Sequence, residues 1–281
     1  MELRQLALQA LCLADPAQKV HAVQSLWSQR EGLSLETAPD LDPRHWVGSA
    51  ALPGRPAQPR LIAAKQVPQR SPFTRAGRAA LLHAVCHIEF NAINLALDAI
   101  WRFAGMPPDY YRDWLQVAYE ESCHFDMVRQ HLATLDHRYG DFAAHDGLWT
   151  MCTRTAHDVV ARMALVPRTL EARGLDATPL IQHRLRQCAE PDALQAIALL
   201  DIILRDEIGH VAIGNRWYHW LCEQRGLDPI EHDRWLVQQH EAPRLKPPFN
   251  IEARKRAGFT TAELDALVAQ VAEKPAAQPR G

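Results

Sequence analysis

The chain has 281 residues, with 31 Lys and Arg against 33 Asp and Glu and 47% hydrophobic residues, a composition that supports a sizeable globular core. A formal net charge of −2 gives no electrostatic basis for a dedicated nucleic-acid or anionic-membrane binder, so small molecules are the expected partners. The apolar run from Ala196 to Leu204 carries Asp201 in its middle, and no membrane-spanning helix is expected. Met1 to Asp15 lacks a basic leader and its apolar stretch is broken by Gln5 and Gln9, which reads as a cytoplasmic protein without a signal peptide. The six cysteines form no Cys-x-x-Cys pair, so zinc knuckles and dithiol redox motifs are out, and reduced thiols in a core are expected.

In chain order, two helical pieces come first, Leu3 to Leu13 and Ala17 to Trp27, separated by the stop and restart signals Asp15 and Pro16. From Ala38 to Pro72 the prolines at 39, 43, 53, 56, 59, 68 and 72 forbid long helices and predict an extended strap wrapped on something larger. Thr74 to Ala104 then places Leu81, Val85, Ile88, Ala92, Leu95 and Ala99 at helical spacing and is closed by Gly105 and Pro107. Pro108 starts a second long helix that runs to Leu135 and forms an antiparallel hairpin with the first.

A third helix is expected from Leu148 to Arg173, bent at Pro167 and stopped by Gly174, with helix resuming from Leu180 to Cys188. A fourth runs from Asp192 to Glu223, followed by Pro229 to His240, a Pro-rich turn at Pro243 to Pro248, a terminal helix near Thr261 to Glu273, and a frayed tail after Lys274. No window shows sustained strand-like alternation, so the expected class is all-α with almost no sheet. The expected organisation is an N-terminal helical and Pro-rich strap over 1–72, a four-helix bundle over 73–225 and a C-terminal helical extension over 226–281, forming one globular unit.

Two Glu-x-x-His motifs stand inside the long helices: Glu121-Ser-Cys-His124 and Glu207-Ile-Gly-His210. Chance alone yields about 0.7 such pairs in a chain of this composition, so position has to decide. A spacing of three sets carboxylate and imidazole on one helix face, able to grip the same or adjacent metal ions. A two-metal site in a four-helix bundle needs one more carboxylate from each of the other two helices at the same height.

The first hairpin turns near Met106, so the position opposite Glu121 is about 91, and Glu89 lies about half a turn away. The second turn lies near Glu190 and Pro191, so the position opposite Glu207 is about 174, with Glu171 about one turn away and Asp176 as its rival. That second estimate requires the chain beyond Gly174 to keep its direction. Four carboxylates and two imidazoles suit iron or manganese rather than copper or a thiolate-loving metal, and suit oxygen chemistry.

The order Glu89, Glu121-x-x-His124, Glu171, Glu207-x-x-His210 resembles the ferritin-like di-iron carboxylate superfamily. The stretches His87-Ile-Glu-Phe-Asn-Ala-Ile, Glu120-Glu-Ser-Cys-His-Phe, Leu170-Glu-Ala-Arg-Gly-Leu-Asp and Arg205-Asp-Glu-Ile-Gly-His-Val are more closely similar to the bacterial ferritin-like proteins grouped as domain of unknown function 455. The resemblance implies a ferritin-like four-helix bundle. It also implies two iron ions, or manganese, one held by Glu89, Glu121 and His124 and the other by Glu171, Glu207 and His210, with Glu121 and Glu207 as the bridging, catalytic carboxylates. The activity expected from such a centre is oxidation or hydroxylation of a small or modified substrate by O₂ or peroxide. An external electron donor is expected too, because no flavin or iron–sulfur motif is visible. The alternative is a metal-binding or peroxide-scavenging protein that has no organic substrate.

Overall fold

The computed structural model describes residues 2–272 except Pro39 and Ala189; the expected tail, and Glu273 at the end of the last expected helix, lie outside the described residues. The helical signals act as their chemistry dictates. Asp15 accepts from Gln18 N at 2.8 Å ahead of Pro16, which opens α2 (Pro16–Ser28) behind α1 (Leu3–Cys12). Thr74 accepts from Gly77 N at 3.1 Å and starts α4 (Arg75–Arg102). Gly105, at φ 74°, supplies the left-handed residue of the connection to α5 (Pro108–Thr134), which begins on its proline.

Between α2 and α4 the described residues hold only the five-residue α3 (Pro43–Val47) and two single 3₁₀ turns, as the prolines there require. It wraps as expected. Leu3 N donates to Ser34 O at 2.9 Å, Gly105 N to Thr37 O at 2.6 Å, Gly54 N to Leu11 O at 2.9 Å and Ile62 N to Ala144 O at 2.8 Å. The buried Lys19 ammonium clamps the strap from inside, donating to Leu11 O and Gly54 O at 3.0 Å each and to the Asn94 side chain. A side chain at Gly54 would strike Cys12 O, so the strap's close approach to α1 needs glycine there.

Downstream come α6 (Gly147–Arg154), α7 (Val159–Leu165), a π-helical segment (Val166–Glu171), α8 (Ala172–Arg186), α9 (Pro191–Arg225), α10 (Pro229–Gln239), α11 (Ile251–Arg256) and α12 (Thr261–Ala272). Among the described residues there are no strands, only isolated bridges at Glu2 with Ser34 and Leu61 with Ala144, so the all-α expectation holds.

The expected third helix is corrected in three ways. It is interrupted at Thr155–Asp158, it passes through a π-helical segment at Pro167, and it does not stop at Gly174. Instead α8 carries both Gly174 and Pro179 in its interior. Pro167 lacks the N–H that an α-turn would use, and Thr169 Oγ1 donates back to Ala164 O at 2.9 Å, which accommodates the wider turn. The short α11 lies in what reads as loop.

The chain forms two compact units. The first comprises the described residues of Met1–Ala156 with Ile181–Ile203. Here α4 and α5 pack along their lengths, α1 lies on α4, α2 on α5, and α6 on α4. From Glu89 to Trp101 every residue of α4 is buried, so no polar face is left for solvent. This helix, rather than the Ala196–Leu204 run, is long and apolar enough to cross a membrane by length and composition, but 78% of its most apolar window is buried inside the protein. The start of α9 is tied into this unit by Asp192, which receives the buried Arg78 guanidinium (Nη2 at 3.0 Å), while its carbonyl pairs with His131 Nε2 at 2.9 Å.

The second unit comprises His157–Leu180 and the described residues of Leu204–Gly281. Its core joins Ala172 and Leu175 of α8, Val211 of α9, and Ala253 and Ala257 of the α11 region, with Leu204, Ile208 and Phe259 packed against them. A Cβ at Gly214 would lie 2.5 Å from Pro167 Cβ, so glycine lets α9 close onto the π-helical segment.

Candidate metal centre

In the first unit Glu89 of α4 and the Glu121-x-x-His124 pair of α5 come together as the level-matching expects. One ligand atom from each lies within 4.8 Å of the other two, and all three residues are buried. His124 Nδ1 stands 3.3 Å from Glu89 Oε2 and 3.4 Å from Glu121 Oε2. The register comes from the hairpin and from the neighbouring rings, since Phe90 packs on Phe125 at 5.5 Å between centroids and Tyr139 closes over both.

The electrostatics of this triad favour a cation. Burial, then the Glu121 carboxylate, pushes Glu89 up to about 8. Burial acts to lower His124, but the Glu121 and Glu89 carboxylates outweigh it and hold the imidazole well above its usual range. The charged groups that act most on Glu89 are Glu121, which raises it, and His124, which lowers it. Glu89 Oε2 is buried and receives no hydrogen bond of proper geometry, with His124 Nδ1 at 3.3 Å. Two oxygen donors and one nitrogen donor within 4.8 Å of one another fit a hard or borderline divalent ion, which would displace the protons. Cys86 lies one turn away, but burial and the nearby Glu89 carboxylate raise its thiol well above the ordinary range, and its Sγ faces Phe125 O at 3.8 Å, so it is a packing thiol.

In the second unit Glu171 ends the π-helical segment, while Glu207 and His210 lie on α9; all three are buried. A Glu207 carboxylate oxygen and a His210 ring nitrogen lie within 4.8 Å of each other. Leu175, four residues beyond Glu171, and Val211, four beyond Glu207, belong to the same core cluster. The rival Asp176 is engaged elsewhere: it accepts from Arg254 Nη2 at 2.6 Å, Arg254 Nε at 3.1 Å and Asn250 N at 2.8 Å. Asp176 is therefore taken up in an ion pair with Arg254, and among the described residues Glu171 does not join Glu207 and His210 in a group of ligand atoms within 4.8 Å of one another.

The histidines of α4, His83 and His87, have other work. His87 pairs through Nδ1 with Tyr139 OH at 2.9 Å, and His83 Nε2 accepts from Gly140 N at 2.9 Å. Burial pulls both imidazoles down to about 4 and keeps them neutral. Tyr119 stacks on Trp27 at 5.0 Å, as a packing residue would. Of the two acidic neighbours of the motifs, Glu120 accepts from Gln116 at 3.0 Å and Asp206 pairs with Arg205 at 2.7 Å. What sequence reasoning missed is the π-helical turn that presents Glu171, for which Pro167 was the one visible signal.

The family model described as "Protein of unknown function (DUF455)" matches residues 12–265. A protein of Haemophilus influenzae, described as "Uncharacterized protein", is 48% identical over 267 residues, covering 91% of this chain and 90% of that one. No solved structure matches. By the extent of these two matches, the chain belongs to the DUF455 family.

Proposed function

We propose that the protein is a non-haem iron, or mixed iron and manganese, carboxylate oxidoreductase of ferritin-like type. In this reading Glu89, Glu121 and His124 hold one ion, and Glu171, Glu207 and His210 hold a second. The observation that carries the reading is the buried triad of the first unit, in which one imidazole nitrogen stands within 3.4 Å of two carboxylates. In the metal-free protein the two buried carboxylates stand against a proton-holding His124, and a divalent ion would take the place of the protons. When bound, the metals would supply activation of O₂ or peroxide and oxidation of a small organic substrate.

The chain's own residues have distinct tasks. Glu89 and Glu121 supply negative charge, and on binding metal Glu89 would release the proton that burial otherwise makes it hold. His124 supplies a nitrogen whose position is set by its place one turn along the same helix face as Glu121. Phe90, Phe125 and Tyr139 pack on one another beside the hairpin positions that carry Glu89 and His124, and the triad itself is buried from water.

The test is oxygen uptake by protein reduced and loaded with iron anaerobically, with and without an electron donor. O₂ consumption that is abolished in Glu121→Ala and Glu207→Ala supports the reading. Binding of iron with no reaction toward O₂ or peroxide would overturn it. Rapid peroxide consumption with no organic compound added would favour the scavenging alternative over hydroxylation.

A further inference from the structure

The second unit contains a cavity of about 280 Å³, lined by the π-helical segment, α10, α12 and the Pro243–Lys246 turn. Its walls mix apolar surface from Ile230, Val237, Phe259 and Leu267 with five cationic side chains and two acidic ones. At one wall is Arg168, only 5% exposed and held rigidly. Its Nε donates to Asn215 Oδ1 at 2.5 Å, its Nη2 to Glu263 Oε1 at 2.5 Å, and its plane lies 4.1 Å over the Tyr218 ring. Its Nη1 makes no hydrogen bond, with Asp233 Oδ1 3.5 Å away.

The sign of the ligand follows from which charges are already spent. Glu263 accepts from Arg168, from His219 Nε2 at 2.8 Å, and from Thr260 N and Oγ1 at 2.8 and 2.9 Å, so it has no capacity left for a ligand. Arg254 is spent on Asp176. Arg244 and Lys246, by contrast, are exposed and pair with no carboxylate among the described residues. The same turn also walls a neighbouring cavity of about 410 Å³, where Arg173 adds another such cation. The Lys246-Pro-Pro turn thereby acquires a role: it carries cations to the mouths of both cavities.

We propose that the 280 Å³ cavity binds a small amphipathic organic anion, whose carboxylate or phosphate head is met by Arg168 Nη1, Arg244 and Lys246 and whose apolar body lies against Val237, Phe259 and Leu267. Arg168 Nη1 makes no hydrogen bond and has Asp233 beside it at 3.5 Å, so together with Arg244 and Lys246, which no carboxylate among the described residues engages, it suits an acidic oxygen. The apolar walls favour a ligand with a hydrocarbon part. This site lies wholly within the second unit and needs no metal, so it stands or falls independently of the oxidoreductase reading.

The test is calorimetric titration of the full chain with octanoate, octyl phosphate, octanol and inorganic phosphate. Replacing Arg168 would strip Asn215 and Glu263 of their partner, so the variants are Ala266→Phe, which fills the cavity from a half-exposed wall, and the double change R244A/K246A. One of the two octyl anions is expected to bind at about one per chain and at least about tenfold tighter than octanol or inorganic phosphate. Each variant is expected to weaken that binding about tenfold or more. The tighter of the two anions identifies the head group. Equal binding of octanol, unchanged binding in Ala266→Phe, or no binding of either anion overturns the proposal.

Discussion

Asp176 is clasped by Arg254, which reaches it from α11 with Nη2 at 2.6 Å and Nε at 3.1 Å while burying its own side chain almost completely. Removing the carboxylate would leave a buried guanidinium unpaired. Asp176→Ala is therefore expected to cost about 3–5 kcal/mol of unfolding free energy and to leave metal content unchanged. Glu171→Ala should behave in the opposite way, losing metal with a smaller loss of stability. Denaturant unfolding alongside metal analysis separates the two.

Glu89 offers a comparison of opposite signs. Its carboxylate is buried beside Glu121 and is forced toward the protonated form, so Glu89→Gln relieves a cost in the metal-free protein while removing an anionic ligand. The variant should melt no lower than the parent in chelator and bind ferrous ion at least about tenfold more weakly. Thermal melts with and without iron read both effects.

Two glycines of the second unit test how closely α9 meets the π-helical segment. Gly214→Ala places a Cβ 2.5 Å from Pro167 Cβ, so something must shift, and a loss of about 1–3 kcal/mol is expected. Gly174 has nothing within 4 Å of its Cβ position and lies inside α8, so Gly174→Ala should gain up to about 1 kcal/mol from helix propensity. Equal effects of the two changes in chemical denaturation would contradict the packing described.

Glu263 sets a pH dependence. Burial would raise its carboxyl, but the His219 hydrogen bond and Arg168 outweigh that and bring it down to about 2. A carboxylate lowered in the folded state binds fewer protons than in the unfolded chain, so its contribution is complete above the ordinary carboxyl value near 4.5 and is lost as pH falls toward 2. Between pH 4.5 and 2 the parent should lose stability more steeply than Glu263→Gln, as followed by urea midpoints at a series of pH values.

The first triad was legible because its geometry is local. Pro108 and Gly105 mark the hairpin, and counting back from Glu121 across Met106 lands beside Glu89, which the structure places within reach of His124. The strap was legible from its prolines for the same reason, since a missing N–H acts at its own position. Gly174 and Pro179 misled because both are helix breakers by propensity, and tertiary burial of Ala172 and Leu175 carries α8 through them. The Arg168 network was hidden because Asn215, Tyr218, Asp233 and Glu263 are brought to it by packing, at separations that no periodicity encodes.

The most direct measurement is anaerobic equilibrium dialysis of the purified chain against ferrous ion, with metal counted per chain in the parent, in E89A/H124A and in E171A/H210A. The expected result is about two ions bound by the parent and a clear loss in each double variant. Full retention of iron in both double variants would contradict metal binding by these six side chains.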